Sequence, residues 1–173
     1  MSGPTLCRAA LLALLPLAAM ATPPMPAPPA SRTGRFHLAA PCQRAFPLFT
    51  ALGETQWAEG WHPDLLSGAT GRGSVFRTRH PDGQTAVWIV VGYDPAAGRA
   101  SYARLVEGSN MGLVDVRCTA LSASRSLVEV TYTLTGLDEQ GKAFVSRFLS
   151  EHHYAAMMAQ WQRALSAALA SAE

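Results

Sequence analysis

From Asp138 to Ala172 the chain has no proline and, after Gly141, no glycine, and it is dominated by Ala, Leu, Met, Gln, Arg and Glu. Such residues lose little on entering a helix, so the stretch reads as one long helix of roughly seven or eight turns. On a 3.6-residue wheel Phe144, Phe148, Ala155, Met158, Ala159, Leu165 and Leu169 share one side, with Tyr154 and Trp161 at its flank. Ser146, His153 and Gln160 lie opposite. An apolar face of that length needs a partner, and what precedes the helix reads as sheet. Arg147 and Glu151, spaced i,i+4, fall on or beside the apolar side. A carboxylate in a dry core is costly unless paired. Either the face opens onto a water-accessible cavity with Glu151 as its polar anchor, or Arg147 holds the carboxylate at the rim, or the helix is rotated and both residues stay in water.

The opposite end of the chain reads as processing rather than fold. Arg8 precedes a short apolar run, Ala9 to Ala19, and Ala19-Met20-Ala21 has the A-x-A form of a cleavage site. The run is shorter than the roughly 20 residues of a spanning helix, and Pro16 interrupts it. Residues 1–21 are therefore expected to be a secretory signal, and the mature protein periplasmic or secreted with no stable membrane insertion. Residues 22–34 hold five prolines between Pro23 and Pro29 and read as an extended spacer. One domain, residues 35–172, is expected to follow.

A net charge of +2 and the lack of any basic run give no electrostatic case for nucleic acid. Cys42 and Cys118 remain after the signal. They can pair in an oxidising compartment or lie buried as free thiols, and both readings stay open.

Arg35 to Ala40 is a short strand candidate ended by Pro41. Gln43 to Leu52 is apolar at helical spacing, with Pro47 within it, and Glu54 to Gly60 suggests a second short helix. From Gly73 the period becomes two. Ser74 to His80, Thr85 to Tyr93, Arg99 to Val106, Leu113 to Ala120 and Ser126 to Leu134 alternate as strands. Short connections such as Pro81-Asp82-Gly83 and Ser122-Ala123-Ser124 require antiparallel neighbours; Glu107 to Gly112 reads as a longer, more flexible loop. A turn centred on Ala123 pairs Val116 with Val130, Val114 with Tyr132 and Cys118 with Val128 on one face, and Arg117 with Glu129 on the other.

The expected class is α+β: a curved antiparallel sheet of about six strands wrapped around a long C-terminal helix, with two short helices after the first strand. That order resembles the START-like superfamily, also called the SRPBCC or helix-grip fold, which includes polyketide cyclase/dehydrase-like proteins and relatives of the birch-pollen allergen. The resemblance is carried by Trp57-Ala58-Glu59-Gly60-Trp61-His62-Pro63, the Val130 to Thr135 strand and the Tyr154 to Trp161 segment. It implies a cavity between sheet and helix for a hydrophobic small molecule or lipid.

Trp57, Trp61, Val87, Ile89, Val116, Tyr132, Phe148, Glu151, Ala155 and Met158 are the expected ligand-binding residues. The face that Val87 and Ile89 take is undetermined, because both faces of that strand are apolar. Carboxylates at Glu54, Glu59 and Asp64 with His62 form a possible lid bearing a general base, set against a short helix merely pinned by its tryptophans. No metal site, cofactor or catalytic residue is expected. His152 and His153 point about 100° apart on a helix, no G-x-S-x-G is present, and Gly68 to Gly73 lacks a phosphate-loop ending. Three functions follow: a non-catalytic carrier, a cyclase- or dehydratase-like enzyme in the same cavity, or a partner-binding module with a filled core.

Overall fold

The computed structural model describes Met25 and residues 27–80 and 83–171. The expected signal, residues 1–21, lies outside the described residues. The chain runs β1 (Ala30–Leu38), α1 (Cys42–Ala45), two 3-10 turns (Phe46–Phe49 and Gly53–Gln56), β2 (Asp64–Ser67), β3 (Val75–Arg79), β4 (Thr85–Asp94), β5 (Arg99–Val106), β6 (Asn110–Ser122), β7 (Arg125–Gly136), α2 (Glu139–Phe148) and α3 (Glu151–Ser171). Seven strands form one antiparallel sheet in the order β1-β7-β6-β5-β4-β3-β2. This is the helix-grip arrangement.

Four expectations are corrected. Strand β1 starts at Ala30, inside the stretch read as spacer, because its whole length pairs with β7 from Ala30 opposite Leu134 to Leu38 opposite Ser126. The seventh strand, β2, is a four-residue edge strand exposed throughout, so it carries no alternation to find; it pairs with β3, and Asp64 bridges Arg77 at 2.6 Å. Glu107 to Gly112 is a tight turn rather than a long loop, with Ser109 N bonded to Val106 O at 3.1 Å and β6 starting at Asn110. Finally, the C-terminal helix is two helices.

The break falls at Leu149 and Ser150. Leu149 leaves helical geometry at φ −89° and ψ 8°. Ser150 then opens α3: its carbonyl accepts from Tyr154 N at 3.0 Å and its hydroxyl from His153 N at 3.4 Å. A serine ahead of an acidic residue is a good helix start, and Ser150-Glu151 has that form. The freed Leu149 carbonyl accepts from Arg32 Nε of β1. The interruption lets α2 pack on β7 while α3 packs on β1, and Gln162 Nε2 on α3 donates to His37 O at 3.1 Å. It also resets the helical phase. The buried residues of α3 are Tyr154, Met158, Leu165 and Leu169, with Trp161 half-buried, whereas Ala155 and Ala159 face outward. Arg147 and Glu151 are both exposed, so the rotated arrangement holds.

The β6–β7 register is as the alternation requires. Val116 faces Val130, Val114 faces Tyr132, Cys118 faces Val128, and Arg117 faces Glu129. The inner face carries Trp88, Val90, Tyr102, Val114, Val116, Val130, Tyr132 and Leu134, all buried. On β4 it is Ala86, Trp88 and Val90 that turn inward; Val87 and Ile89 are each 41% exposed on the outer face. Outside, Val75, Ile89, Ala103 and Leu113 align across four strands, and Val87, Leu105 and Met111 across three.

Helix α2 begins at Asp138, whose Oδ1 accepts from Gly141 N at 2.6 Å. Asp138→Ala removes that cap and is expected to cost about 1 kcal/mol of stability in urea denaturation.

Candidate functional site

A small cavity lies between the sheet and the C-terminal helices. Phe49, Ala51, Glu54, Trp61, Phe76, Trp88, Tyr102, Val114, Val116, Tyr132 and Trp161 line it, around a volume of about 20 Å3. That is room for about one water molecule. The walls are of two kinds. Phe76, Trp88, Tyr102, Val114, Val116 and Tyr132 stand on β-strands. Phe49, Ala51, Glu54 and Trp61 belong to the irregular segment between α1 and β2, where Gly60 takes φ 74°, a conformation open to glycine at little cost.

Aromatic packing fixes the strand-borne wall. Phe76 and Trp88 stack with centroids 5.7 Å apart, and Trp61 meets both edge-on at 6.1 and 5.7 Å. Trp88 Nε1 donates to Thr78 Oγ1 at 3.0 Å and Trp61 Nε1 to Ala51 O at 2.8 Å. Tyr102 OH donates to Phe49 O at 2.8 Å, tying the irregular segment to β5. Cys42, at the start of that segment, is disulfide-bonded to Cys118 on β6.

Three polar side chains in this interior retain unused hydrogen-bonding capacity. Glu54 is half-buried as a residue, since its backbone lies in the outer turn while its side chain lines the cavity. Burial holds its carboxyl well above the ordinary carboxylate range. Tyr132, 8% exposed, is raised above the usual phenol range by burial and by the Glu54 charge, an effect that Arg104 opposes. Among the described residues neither the Glu54 carboxyl nor the Tyr132 hydroxyl has a hydrogen-bond partner. Arg104 is 6% exposed, its guanidinium 5.5 Å from the Trp88 ring centre and donating to Asn110 Oδ1. Asn110 in turn donates to Ser109 Oγ at 2.9 Å.

Glu54 makes stability depend on pH. Its folded pKa lies above the 4.5 of a free carboxyl. Below that value both states are protonated and nothing is lost. As pH rises from there through the folded pKa, the unfolded chain ionises first, binds fewer protons than the native state, and stability falls. Glu54→Gln is expected to be more stable than wild type at neutral pH and to lack this decline. Denaturant midpoints at a series of pH values from 5 upward check it, and parallel curves for the two proteins would contradict it.

Of the residues expected from the sequence, the structure brings Trp61, Val116 and Tyr132 to the cavity wall. Trp57 instead packs edge-on against Phe49 and Trp161 and donates to Leu48 O at 2.7 Å. Phe148 packs on Tyr132, with centroids 5.1 Å apart, outside the lining. Met158 is buried over Gly34, where a Cβ would sit 2.3 Å from its Cγ. Glu151 and Ala155 border a separate cleft beside β1 of about 310 Å3. Val87 and Ile89 are excluded by the strand's phase. Trp88, Tyr102, Arg104 and Trp161 were not found by sequence reasoning; period-two alternation from Ala100 through Val106 was the available signal for Tyr102 and Arg104. Of that expected group Glu54 lines the cavity, whereas His62 and Glu59 are outside the lining.

A larger open groove, about 670 Å3, crosses the outer face between Arg35, Asp94, Arg99, Asp115, Arg117 and Glu129. Two pairs of its side chains bond one another, Arg35 with Glu129 and Ser101 with Asp115, both at 2.6 Å. Tyr93 also lines it, half-buried, its phenol raised by burial. Among the described residues, no cluster of three potential metal ligands exists and no helix is long and apolar enough to cross a membrane.

A family model described as polyketide cyclase / dehydrase and lipid transport matches residues 29–171. Among solved structures, the chain is similar to norcoclaurine synthase from Thalictrum flavum, solved with a transition-state analogue (TM-score 0.62, 9% identity, covering 84% of this chain and 98% of that one). It is similar to Ara h 8.0201 (TM-score 0.60, 11% identity, 83% and 99%). It also resembles DynU16, from the dynemicin biosynthetic locus (TM-score 0.59, 16% identity, 83% and 48%), of which it spans about half the length. At these identities the likeness concerns the fold. No curated protein matches the chain.

Proposed function

This chain belongs to the polyketide cyclase / dehydrase and lipid transport family, and from that premise we propose that it binds a hydrophobic small molecule in the cavity between the sheet and the C-terminal helices. One observation carries the reading: an aromatic cavity whose polar groups, Glu54 and Tyr132, are left without hydrogen-bond partners among the described residues. A core built only for packing pairs its polar groups or omits them. A ligand hydroxyl or carbonyl supplies the missing partner. At about 20 Å3 the cavity must open to admit such a ligand. The irregular segment bearing Trp61 is the wall able to move, since its neighbours on the strands are held by sheet hydrogen bonds.

A second reading is favoured by Glu54 itself. A carboxyl kept neutral by burial can donate a proton, so cyclase- or dehydratase-like chemistry with Glu54 as general acid has a physical basis. A filled core with no ligand is the competing outcome. Titration with N-phenyl-1-naphthylamine separates these, following quenching of tryptophan emission, since Trp61, Trp88 and Trp161 all line the cavity. Saturable quenching that Trp88→Ala weakens supports binding, and no quenching supports the filled core. We also propose export, with cleavage after Ala21 and a mature protein in the periplasm or medium. The Cys42–Cys118 bridge favours an oxidising compartment. N-terminal sequencing of protein from the host tests it, and a chain beginning at Met1 or Ser2 contradicts it.

A further inference from the structure

Arg104 is unusual for its surroundings. It stands on the inner face of β5, between Tyr102 and Val106, and only 6% of it reaches solvent. Its sole hydrogen-bond partner among the described residues is the neutral side chain of Asn110, and no carboxylate lies within ion-pair distance. A guanidinium has five N–H donors and keeps its charge. Beside one amide oxygen and a tryptophan face, most of those donors have no protein acceptor among the described residues. Two of its neighbours, Trp88 and Tyr132, are walls of the cavity.

We infer that Arg104, which stands beside the Trp88 wall and outside the lining of the closed cavity, becomes the anion-recognising group when the cavity opens, and that the ligand is a planar apolar molecule bearing a carboxylate. This rests on the ligand-binding reading above and narrows it. The aromatic wall of Phe76, Trp88 and Tyr102 takes the apolar body, and the carboxylate meets the unused donors of Arg104 in a charge-assisted pair. Tyr132 lines the same cavity, and its hydroxyl, which has no partner among the described residues, can donate to the same anion. Glu54 does not oppose it, because burial favours its neutral form.

The test compares naphthalene-2-carboxylate with naphthalene-2-carboxamide, which share shape and differ in charge. Tryptophan quenching or calorimetry on wild type, Arg104→Gln and Arg104→Lys gives the affinities. The expected result is that wild type prefers the carboxylate by about tenfold or more. Arg104→Gln should abolish the preference, the ratio of the two affinities falling to about one whatever its effect on the carboxamide, and Arg104→Lys should keep part of it. Equal affinity of the two probes for wild type overturns the inference and needs no variant to fold. A preference that survives in Arg104→Gln overturns it as well. Carboxamide binding without carboxylate preference leaves the cavity reading standing, whereas failure of both probes to bind removes the inference together with that reading.

Discussion

Replacing Cys42 and Cys118 together by alanine is expected to lower stability by about 4 kcal/mol, which for a domain of this size lowers the melting temperature by roughly 10 °C or more. The bridge spans 76 residues of sequence, and a cross-link over so long a loop removes much of the freedom of the unfolded chain. It also acts on a segment that no strand pairing holds. The segment from Cys42 to Trp61 has only one turn of α-helix and two 3-10 turns, and no strand pairing of its own. Within it Trp57 and Trp61 bond the Leu48 and Ala51 carbonyls; it is tied to the rest of the fold by the buried Ala45, Phe46, Leu48 and Phe49 side chains, the Tyr102 bond to Phe49 O, the Arg44 to Leu169 contact at 2.9 Å and the disulfide. Since this segment carries Glu54 and Trp61, the double variant should also bind hydrophobic probes more weakly. Calorimetry of wild type and the double variant checks the first effect, and a melting temperature within a degree or two of wild type would refute it.

The second large effect is at Tyr154. It is 2% exposed at the start of α3, packs edge-on against Tyr132 and Phe148, and donates to Val130 O on β7 at 2.9 Å. It reaches that carbonyl because β1 has a glycine there. A Cβ at Gly34, the partner of Val130, would sit 2.9 Å from the Tyr154 ring. Tyr154→Ala is expected to cost about 4 kcal/mol, combining lost burial with a cavity. Tyr154→Phe should cost about 1 to 2 kcal/mol, because it only strands the carbonyl. Urea denaturation measures both. If the two variants lose equally, the hydroxyl rather than the ring holds α3 in place.

The fold was legible because its signals are local and repeated. Alternation along Leu113 to Ala120 and Ser126 to Leu134 fixed which residues face inward and hence the register. The site was less so. On β4 both faces are apolar, and the decision for Ala86, Trp88 and Val90 is made by the partners each residue meets, Phe76 on β3 and Tyr102 on β5 among them, which the strand's own pattern does not reveal. The helix break depends on Ser150 as a cap and on Arg32 arriving from β1 to satisfy Leu149. Composition favoured continuity there, and the resulting change of phase moved Glu151 and Ala155 out to solvent. Glu54 was visible as one of several carboxylates, but nothing local distinguishes it from Glu59. Only the closing of the irregular segment over the sheet buries one and leaves the other in water. Arg104 was hidden for a related reason, since an arginine on an alternating strand reads as outward unless the phase of its neighbours is enforced.

Native mass spectrometry of the protein purified from its own host tests the central claim most directly. The account predicts a mass above that of the polypeptide by one small molecule, released on denaturation, and identifiable as an apolar compound. It further predicts that the adduct is lost or diminished in Trp88→Ala. A bare polypeptide mass under gentle ionisation, together with no saturable quenching by hydrophobic probes, would contradict it and leave a helix-grip domain with a filled core.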